Sequence, residues 1–309
     1  MDVVAILPEF LPVERIKEAA LSVLPDLQIF TDTSFDQVRA DVLIVTTFTK
    51  VDDNLLSKFQ GLKFIQVAST GYDNVDIDAL RAKGIMLSNI PVANKESVAE
   101  HVLSMVLSFL KDQRFLDREI REGRWPLLTR SFDLMGKTFG IVGFGAIGKK
   151  LAERLIPFEV GIVYTDIRRL SEDEEELYGV TFLPLDELVK VSDIISVHVP
   201  LTENTKGMFN SDIFQKMKDG CIFINTSRGE VVVESDLVLA IKKKGIRAGI
   251  DVFSSEPVDP ESELLSLENT ILSPHIAGVT LESQERFIKE TMSNVLRYTQ
   301  GIEPLYRVI

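Results

Sequence analysis

The chain has 309 residues, of which 45% are hydrophobic and 26% charged, and its formal net charge at pH 7 is −13. This length favours two globular domains. The acidic balance argues against a nucleic-acid or anionic-membrane partner, because both would need a basic face. The single cysteine, Cys221, excludes an internal disulfide and a thiolate zinc cluster, and it fits a reducing cytoplasm. We predict no metal site.

The N-terminal part of the chain alternates strand-like and helix-like stretches. Its first apolar run ends at Pro8 and indicates a strand rather than a signal peptide. The predicted strands are Val3–Leu7, Leu27–Phe30, Val42–Val45, Phe64–Val67 and Ile85–Leu87. The predicted helices are Val13–Leu24, Phe35–Ala40, Asn54–Gln60 and Ile77–Lys83. This alternation predicts βαβ units and a parallel sheet. No run of about 18 apolar residues is present to span a membrane.

A long apolar helix comes next. Ser97-Val98-Ala99-Glu100 has the S-x-x-E form of a capping box, and the apolar residues after it predict a helix that runs towards Glu122. Its wide apolar face has two interpretations. It either bridges two domains or also buries surface against a second subunit.

A glycine-rich motif follows, in the run T-F-G-I-V-G-F-G-A-I-G. A short apolar strand leads into Gly143, Gly145 and Gly148, and an amphipathic helix follows, which is the context of a dinucleotide-binding turn. Gly143 permits the tight turn, Gly145 allows the backbone to approach a pyrophosphate, and Gly148 lets helix and strand pack closely. The helix N-terminus then favours the phosphate charge.

An acidic residue follows this motif at the distance that ribose recognition requires. The next predicted strand leads into Asp166, whose carboxylate can bind both ribose hydroxyls. This favours NAD over NADP. Arg168 and Arg169 keep NADP open, because nearby arginines can pair with a 2′-phosphate.

A second α/β series occupies the rest of the chain. Its predicted strands are Gly161–Thr165, Val180–Leu183, Ile194–Val199, Cys221–Thr226, Ala248–Val252 and Thr270–Leu272. Its predicted helices include Ser211–Met217 and Glu234–Lys244, and the acidic run Glu172–Glu176 predicts a solvated first helical turn. A last helix, Leu281–Thr299, is expected to return to the first domain and to make that domain discontinuous.

The three histidines are separate candidates for acid/base chemistry. For His101, on the apolar helix, a structural role is favoured over catalysis. His198 ends an apolar strand, where it either lines a cofactor pocket or only terminates the strand. His275 follows the last strand of the series at the domain crossing, so a cleft between domains would place it nearest the chemistry.

Two more polar residues follow strands of the same series. Arg228 comes after Cys221–Thr226, and Glu256 comes after Ala248–Val252. An arginine can grip a carboxylate and polarise a carbonyl. A histidine can exchange a proton with the oxygen, and a neighbouring carboxylate favours its imidazolium form. Arg228, Glu256 and His275 at one sheet edge would therefore suit hydride transfer to a keto acid.

The chain resembles the NAD-dependent D-isomer-specific 2-hydroxyacid dehydrogenases over essentially its full length. The matching blocks are Ala68–Asp76, Ser97–His101, Gly140–Gly148, His198–Thr202, Ile224–Gly229, Asp251–Pro257 and Ser273–Gly278. The resemblance implies an α/β fold with two domains. Residues 97–278 would form a Rossmann-type NAD-binding domain. Residues 1–96 and 279–309 would form a smaller flavodoxin-like substrate-binding domain.

The resemblance also implies roles for individual residues. Arg228 would bind the substrate carboxylate and carbonyl, His275 would be the general acid/base, and Glu256 would be its hydrogen-bonding partner. Asp251 would orient the nicotinamide carboxamide. The substrate carboxylate would bind the backbone at Ser69, Thr70 and Gly71. The implied NAD-binding residues are Gly143, Gly145, Ala146, Ile147, Gly148, Asp166, His198, Val199, Pro200, Thr205, Thr226, Ser227, Asp251 and Gly278. A homodimer built on the helix from Ser97 is also implied, whereas the cytoplasmic location is expected from the single cysteine.

The substrate loops distinguish members of this family. Family members that act on 3-phosphoglycerate place arginines near the phosphate, whereas Thr46–Thr49 and Val67–Thr70 contain none. We therefore expect a small unphosphorylated acid of the glyoxylate, hydroxypyruvate or pyruvate class, with Phe48 and Tyr72 shaping its side-chain pocket. One alternative is a D-3-phosphoglycerate dehydrogenase that uses another basic residue such as Lys50. A second is an NAD(H)-sensing binding protein without catalysis.

Overall fold

The computed structural model describes residues 1–9, 13–127 and 131–309. The chain divides into two compact units. The first unit consists of Met1–Asn94 and Val279–Ile309, and the second consists of Lys95–Gly278. The boundary near residue 95 coincides with the start of a helix.

The first unit is built on a parallel sheet. Its elements before residue 94 are β1 (Val3–Ile6), α1 (Val13–Leu21), β2 (Gln28–Phe30), β3 (Val38–Arg39), β4 (Val42–Val45), α2 (Asp53–Leu56), β5 (Phe59–Gln60), β6 (Phe64–Val67), α3 (Ile77–Lys83) and β7 (Met86–Ser88). Five strands pair in the order β2-β1-β4-β6-β7, all parallel. Counted within this sheet, the order is 2-1-3-4-5, which is that of flavodoxin-like folds.

Two predicted helices of the first unit were wrong in whole or in part. Phe35–Ala40 forms no helix but contains β3, and the predicted helix Asn54–Gln60 ends early as α2 and is followed by β5. β3 and β5 pair with each other in parallel. Phe35 fits helical spacing, yet its ring stacks on Phe30 at 4.2 Å between centroids. The apolar pattern there therefore reflects an aromatic cluster rather than one helical face.

The second unit contains the glycine motif. Its elements are α4 (Lys95–Leu110), α5 (Gln113–Arg121), β8 (Thr138–Val142), α6 (Ala146–Leu155), β9 (Gly161–Thr165), α7 (Glu172–Tyr178), β10 (Val180–Phe182), α8 (Leu185–Val191), β11 (Ile194–Val197), α9 (Ser211–Lys216), β12 (Ile222–Asn225), α10 (Glu234–Lys244), β13 (Arg247–Ile250) and β14 (Thr270–Leu272). The strands pair in the order β10-β9-β8-β11-β12-β13-β14, all parallel. This is the Rossmann order 3-2-1-4-5-6 with a seventh strand added, so the expected fold class is confirmed.

The capping box predicted at Ser97 was wrong. α4 already begins at Lys95, so Ser97 lies buried in its first turn. The helix also stops at Leu110, before Asp112 with its left-handed φ of 48°, instead of running on to Glu122. The apolar side chains of α4 pack with strand residues such as Phe139 and Ile224 in the core of the second unit. A capping box does form at α7, where Ser171 caps the helix whose acidic first turn the sequence predicted.

The chain returns to the first unit with its last helix, α11 (Leu281–Thr299). Met292 and Val295 of α11 lie in one buried cluster with Val3 and Phe64 of the sheet. Within the described ranges, none of the helices combines the length and the apolar character needed to cross a membrane.

Candidate active site

The sheet of the second unit has its topological switch point between β8 and β11. In open α/β sheets, ligands bind beyond the carboxyl ends of the strands at such a point. The glycine turn directly follows β8, and His198 directly follows β11. The fold therefore brings the predicted nucleotide turn and His198 to the position where a dinucleotide is expected.

The glycine turn requires glycine for steric reasons. Gly143 has a φ of +92°, and a Cβ there would lie 2.6 Å from the carbonyl oxygen of His198. A Cβ on Gly148 would lie 2.4 Å from the carbonyl oxygen of Gly143. Gly145 is the N-cap of α6 and brings no capping side chain. The first N–H groups of a helix lack partners within the helix, so this end of α6 can bind a phosphate.

Asp166 lies against this turn. Its Oδ2 accepts a hydrogen bond from the N–H of Phe144 at 2.6 Å, and its Oδ1 accepts one from the N–H of Arg168 at 3.2 Å. Arg169 instead pairs with Glu175, with Nε 2.9 Å from Oε1 and Nη2 3.1 Å from Oε2. This ion pair holds the pKa of Glu175 below its usual range. Arg169, one of the two arginines that could pair with the 2′-phosphate of NADP, is therefore bound to an acidic side chain.

Buried polar atoms of His198 and Thr226 lie at the same sheet edge. His198 Nε2 lies 2.9 Å from Ser196 Oγ. Its Nδ1 is buried, and among the described residues it has no hydrogen-bond partner. The same is true of Thr226 Oγ1, which follows β12. Burial lowers the pKa of His198 to about 3, so the ring is neutral at physiological pH. Orphaned polar atoms at this edge fit a site that a polar ligand completes.

The turn after β11 is closed by its own side chains. Thr205 Oγ1 donates to the carbonyl of Pro200 at 2.6 Å and accepts from the N–H of Thr202 at 2.8 Å. Val199 and Pro200 lie in this turn. Thr205, predicted to contact the cofactor, therefore also fixes the local backbone.

Asn225 holds the segment of Arg228 in place, although its sequence position did not single it out as a functional residue. Asn225, the last residue of β12, is only 1% exposed. Its Oδ1 accepts from the N–H and Oγ of Ser227 at 3.0 and 2.8 Å, and its Nδ2 donates to the carbonyl of Arg228 at 2.9 Å. The guanidinium Nη1 donates to the Ser227 carbonyl at 2.7 Å. A buried asparagine at the end of an apolar strand was the available signal, because such residues bond to nearby backbone.

The loops that carry Arg228 and Glu256 are in close contact. Gly229 directly follows Arg228, and a Cβ there would lie 2.0 Å from the backbone carbonyl of Phe253. The N–H of Phe253 in turn donates to Glu256 Oε1 at 3.0 Å. Since β12, β13 and β14 are neighbours in the sheet, the segments after them emerge side by side.

His275 and Glu256 form the central pair of the site. His275 Nδ1 lies 2.8 Å from Glu256 Oε2, and both side chains are partly exposed, at 48% and 38%. The backbone of His275 has a left-handed φ of 55°. Such a conformation in a residue with a Cβ is uncommon and persists where the surroundings fix it. Here the N–H of His275 donates to the carbonyl of Asp251 at 2.7 Å.

The Asp251 side chain is bound by the loop that carries His275. It is 1% exposed and accepts from Ser273 Oγ at 2.5 Å, from the N–H of Ile276 at 2.9 Å and from the N–H of Ala277 at 2.8 Å. The role towards nicotinamide that the resemblance implied for Asp251 stays a prediction. Gly278 ends the second unit directly after this loop.

The predicted substrate loop lies in the first unit. Ser69 Oγ donates to the carbonyl of Gly71 at 2.8 Å, and Thr70 Oγ1 lies 2.9 Å from Asn94 Oδ1. These bonds hold the loop with its side chains turned to its own backbone and neighbours. Across residues 1–9, 13–127 and 131–309, no group accepts a hydrogen bond from the N–H of Thr70 or Gly71. Both N–H groups can therefore receive an anion.

The neighbouring loop follows β4, which pairs with β6. Asn74 Nδ2 donates to the carbonyls of Thr46 and Thr49 at 3.1 and 2.5 Å, and the Phe48 side chain is largely exposed. Lys50 Nζ lies 3.1 Å from Asp52 Oδ2. The lysine considered as a phosphate ligand is thus paired with a carboxylate.

A sequence model of the D-isomer specific 2-hydroxyacid dehydrogenase NAD-binding domain matches residues 103–277. The chain belongs to this family. The second unit therefore contains the NAD-binding domain of a 2-hydroxyacid dehydrogenase, and the expected cofactor is confirmed. Among the residues that the structure describes, no cluster of three or more histidine, cysteine or acidic side chains could hold a metal ion.

Several relatives are similar over most of the chain. The glyoxylate reductase of Korarchaeum cryptofilum is 35% identical over 85% of this chain and 81% of its own length. The hydroxypyruvate reductase of Thermotoga maritima is 37% identical over 84% of this chain and 85% of its own length. The D-3-phosphoglycerate dehydrogenase of Archaeoglobus fulgidus is 37% identical over 80% of this chain, which spans 47% of that protein.

Solved structures share the fold of this dehydrogenase over nearly its full length. D-lactate dehydrogenase from Aquifex aeolicus, complexed with NAD and lactic acid, has a TM-score of 0.86 and 31% identity, covering 97% of this chain and 96% of that one. A glyoxylate reductase from Paecilomyes thermophila has a TM-score of 0.87 and 27% identity, covering 99% and 98%.

Proposed function

We propose that this dehydrogenase interconverts a small unphosphorylated 2-keto acid and its D-2-hydroxy acid, with glyoxylate, hydroxypyruvate and pyruvate as candidate substrates. The observation that carries the proposal is the contact between His275 Nδ1 and Glu256 Oε2 at 2.8 Å. A histidine bound by a carboxylate at one ring nitrogen keeps the other for proton exchange with a substrate. The names of the similar glyoxylate and hydroxypyruvate reductases support the same substrate class.

Three side chains have separate roles in the proposed reduction of the keto acid. When bound, NADH supplies the hydride that reduces the carbonyl carbon. His275 donates the proton to the carbonyl oxygen from Nε2, and Glu256 stabilises the imidazolium form that precedes this transfer. Arg228 grips the substrate carboxylate and stabilises the negative charge that develops on the oxygen. In the direction of oxidation, His275 accepts the proton instead.

The geometry at the switch point supports a proposed cofactor site. The glycine turn and the N-terminus of α6 would bind the pyrophosphate, with Asp166 on the adenosine ribose. The orphaned polar atoms of His198 and Thr226 fit the polar surface of a dinucleotide. Further contacts are proposed for Ala146, Ile147, Val199, Pro200, Thr205, Ser227, Asp251 and Gly278.

A preference for NADH over NADPH is part of the proposal. The Asp166 carboxylate would repel a 2′-phosphate, and Arg169 is bound to Glu175. We expect a lower KM for NADH than for NADPH, and replacing Asp166 by serine should narrow that difference. Equal kinetics with both cofactors in the unmodified enzyme would contradict the assigned role of Asp166.

The substrate loops favour an unphosphorylated acid. The N–H groups of Thr70 and Gly71, together with Ser69, are proposed to bind the substrate carboxylate. A phosphate would need cationic partners, since each charge-assisted hydrogen bond contributes about 1.5–3 kcal/mol. Neither Thr46–Thr49 nor Val67–Thr70 contains an arginine or lysine, and Lys50 is paired with Asp52. D-3-phosphoglycerate dehydrogenase remains the second candidate, because relatives of that name share 37% identity.

A substrate panel tests this function. NADH oxidation is measured with glyoxylate, hydroxypyruvate, pyruvate and 3-phosphohydroxypyruvate. We expect turnover with an unphosphorylated acid, and His275→Ala should lower kcat by roughly 10²–10⁴ while NADH still binds. Glu256→Gln should also reduce turnover, whereas the matched control Glu261→Gln should not. Preference for 3-phosphohydroxypyruvate would establish the second candidate. NADH binding without turnover of any acid would indicate an NAD(H)-sensing protein.

Oligomeric state and location are proposals as well. We propose a homodimer, with its contact at the exposed apolar residues that follow α4 rather than at the buried face of α4 itself. These residues are Phe115, Ile120, Trp125, Leu127 and Phe132, each at least 42% exposed. A cytoplasmic location, which the single cysteine suggests, stays a prediction.

A further inference from the structure

A chain of hydrogen bonds connects α4 to the loop that carries His275. His101 Nε2 lies 3.0 Å from Ser273 Oγ, which lies 2.5 Å from Asp251 Oδ1. His101 and Ser273 are 172 positions apart in the chain. Their contact joins helix α4 to the loop that follows β14. None of the roles proposed above uses His101 or Ser273.

The direction of these bonds follows from the donors available. An ionised carboxylate only accepts hydrogen bonds, so the single O–H of Ser273 points to Asp251. Ser273 Oγ then accepts its second bond, and the hydrogen in it must come from His101 Nε2. His101 is therefore the donor at the start of the chain. Asp251 is its end point.

Asp251 transmits this constraint to the backbone around His275. Its Oδ1 accepts from Ser273 and from the N–H of Ile276, and its Oδ2 accepts from the N–H of Ala277. Its main-chain carbonyl accepts from the N–H of His275. Three consecutive residues are thus bound to one buried aspartate. These bonds hold His275 in a left-handed conformation, with φ 55°, that is unfavourable for an isolated histidine.

We infer that His101 and Ser273 are positioning residues for His275. They hold the Asp251 carboxylate in the rotamer that fixes the 275–277 backbone, and so they keep the imidazole in line with Glu256 and the substrate oxygen. Without the Ser273 hydroxyl, Oδ1 loses one of its two bonds and the carboxylate can rotate away from the loop. The inference rests on the proposed function of His275 as acid/base.

Substitutions along the chain test the inference. Ser273→Ala removes both bonds, and His101→Leu removes the donor. His101→Gln supplies an amide N–H that can replace the donor. Ser266→Ala is the matched serine control, since Ser266 is exposed and its Oγ donates to the carbonyl of Glu263, outside the chain of bonds that starts at His101. Each variant is assayed as the full chain, with active sites counted by NADH binding.

A positioning role predicts a specific kinetic pattern. Ser273→Ala and His101→Leu should lower kcat by about 10- to 100-fold, because small misplacement of a reacting group is costly. With NADH held at saturation, so that any change in its affinity does not enter kcat, the isotope effect with 4-deuterated NADH should rise. His101→Gln should recover most of the activity. The double variant should be no worse than Ser273→Ala alone, since both changes act through one bond.

The possible failures are distinguishable. If Ser273→Ala and His101→Leu keep the unmodified kcat per NADH-binding site while His275→Ala is inactive, the positioning inference is overturned and the proposed function stands. The same conclusion follows if they only lower the melting temperature. If the unmodified enzyme reduces no keto acid, or if His275→Ala keeps its activity, the proposed function itself fails.

Discussion

Replacing Gly229 by alanine tests whether the loops that carry Arg228 and Glu256 must touch. A Cβ at this position would lie 2.0 Å from both the carbonyl carbon and the carbonyl oxygen of Phe253, whereas real Cβ contacts stay beyond 3.0 Å. The two backbones would therefore have to separate by about 1 Å. The clash cannot be relieved by a side-chain rotation, because both contacted atoms belong to the main chain.

The expected magnitudes follow from that displacement. A shift of about 1 Å in the groups that position a substrate can cost on the order of 10²-fold in rate. Overpacking a buried site typically costs about 1–3 kcal/mol of stability. We therefore expect kcat/KM for 2-keto acid reduction to fall about 100-fold and the melting temperature to fall by several degrees.

The assay compares Gly229→Ala with Gly161→Ala. A Cβ on Gly161 would find only the carbonyl oxygen of Lys137, at an ordinary 3.9 Å, so this control should behave like the unmodified enzyme. Steady-state kinetics are measured at saturating NADH, and thermal unfolding is followed in parallel. Unchanged kcat/KM in Gly229→Ala would show that the contact between the two loops does not set the geometry of the site.

Three further predictions concern stability and assembly. Asn294 is buried and its Nδ2 donates to Gln66 Oε1 at 2.6 Å. Asn294→Leu should therefore lower the free energy of unfolding, measured in urea, by about 1–3 kcal/mol. An unchanged value would show that this bond is dispensable. Burial lowers the pKa of His198 to about 3. Below pH 6.5 the unfolded chain therefore binds a proton at this histidine that the folded chain does not. The free energy of unfolding should fall as the pH falls, by up to about 1.4 kcal/mol per pH unit. His198→Asn should have a shallower acid dependence between pH 6.5 and 4, and parallel stability curves would contradict the burial argument. Leu127→Glu should shift a dimer towards monomer in sedimentation velocity, whereas the control Leu177→Glu, at an exposed position on α7, should not. Equal behaviour of the two variants would contradict the proposed dimer surface.

The alternation of elements and the nucleotide turn could be predicted because both depend on local pattern. Buried parallel strands such as Val3–Ile6 and Val42–Val45 form continuous apolar runs, and the G-x-G-x-x-G turn has its own steric requirement. The helix predicted at Phe35–Ala40 was wrong because the apolar spacing of this segment fits a helix, whereas in the structure β3 pairs with β5, which lies further along the chain. Two-residue strands have no periodicity that a sequence pattern can reveal.

The site itself was predicted only in part. Strand order at the sheet edge is enough to bring Arg228, Glu256 and His275 to one side, and the sequence signals that order through its βαβ spacing. The supporting bonds of Asn225 and Ser273 could not be predicted in the same way. Which neighbour a serine or asparagine will bond depends on side-chain directions that exist only after the sheet has formed.

The return of α11 to the first unit affects how the chain emerges from the ribosome. Every strand of the second unit is synthesised before the helix that covers Val3 and Phe64 of the first sheet. The segment 307–309 is synthesised after that helix, and the N–H of Val308 and the carbonyl of Ile309 bond to Leu87 in β7. At about 5–20 residues per second, the early strands wait many seconds with one face uncovered. During that interval the nascent first sheet is a target for chaperones, while the nucleotide-binding unit can already fold.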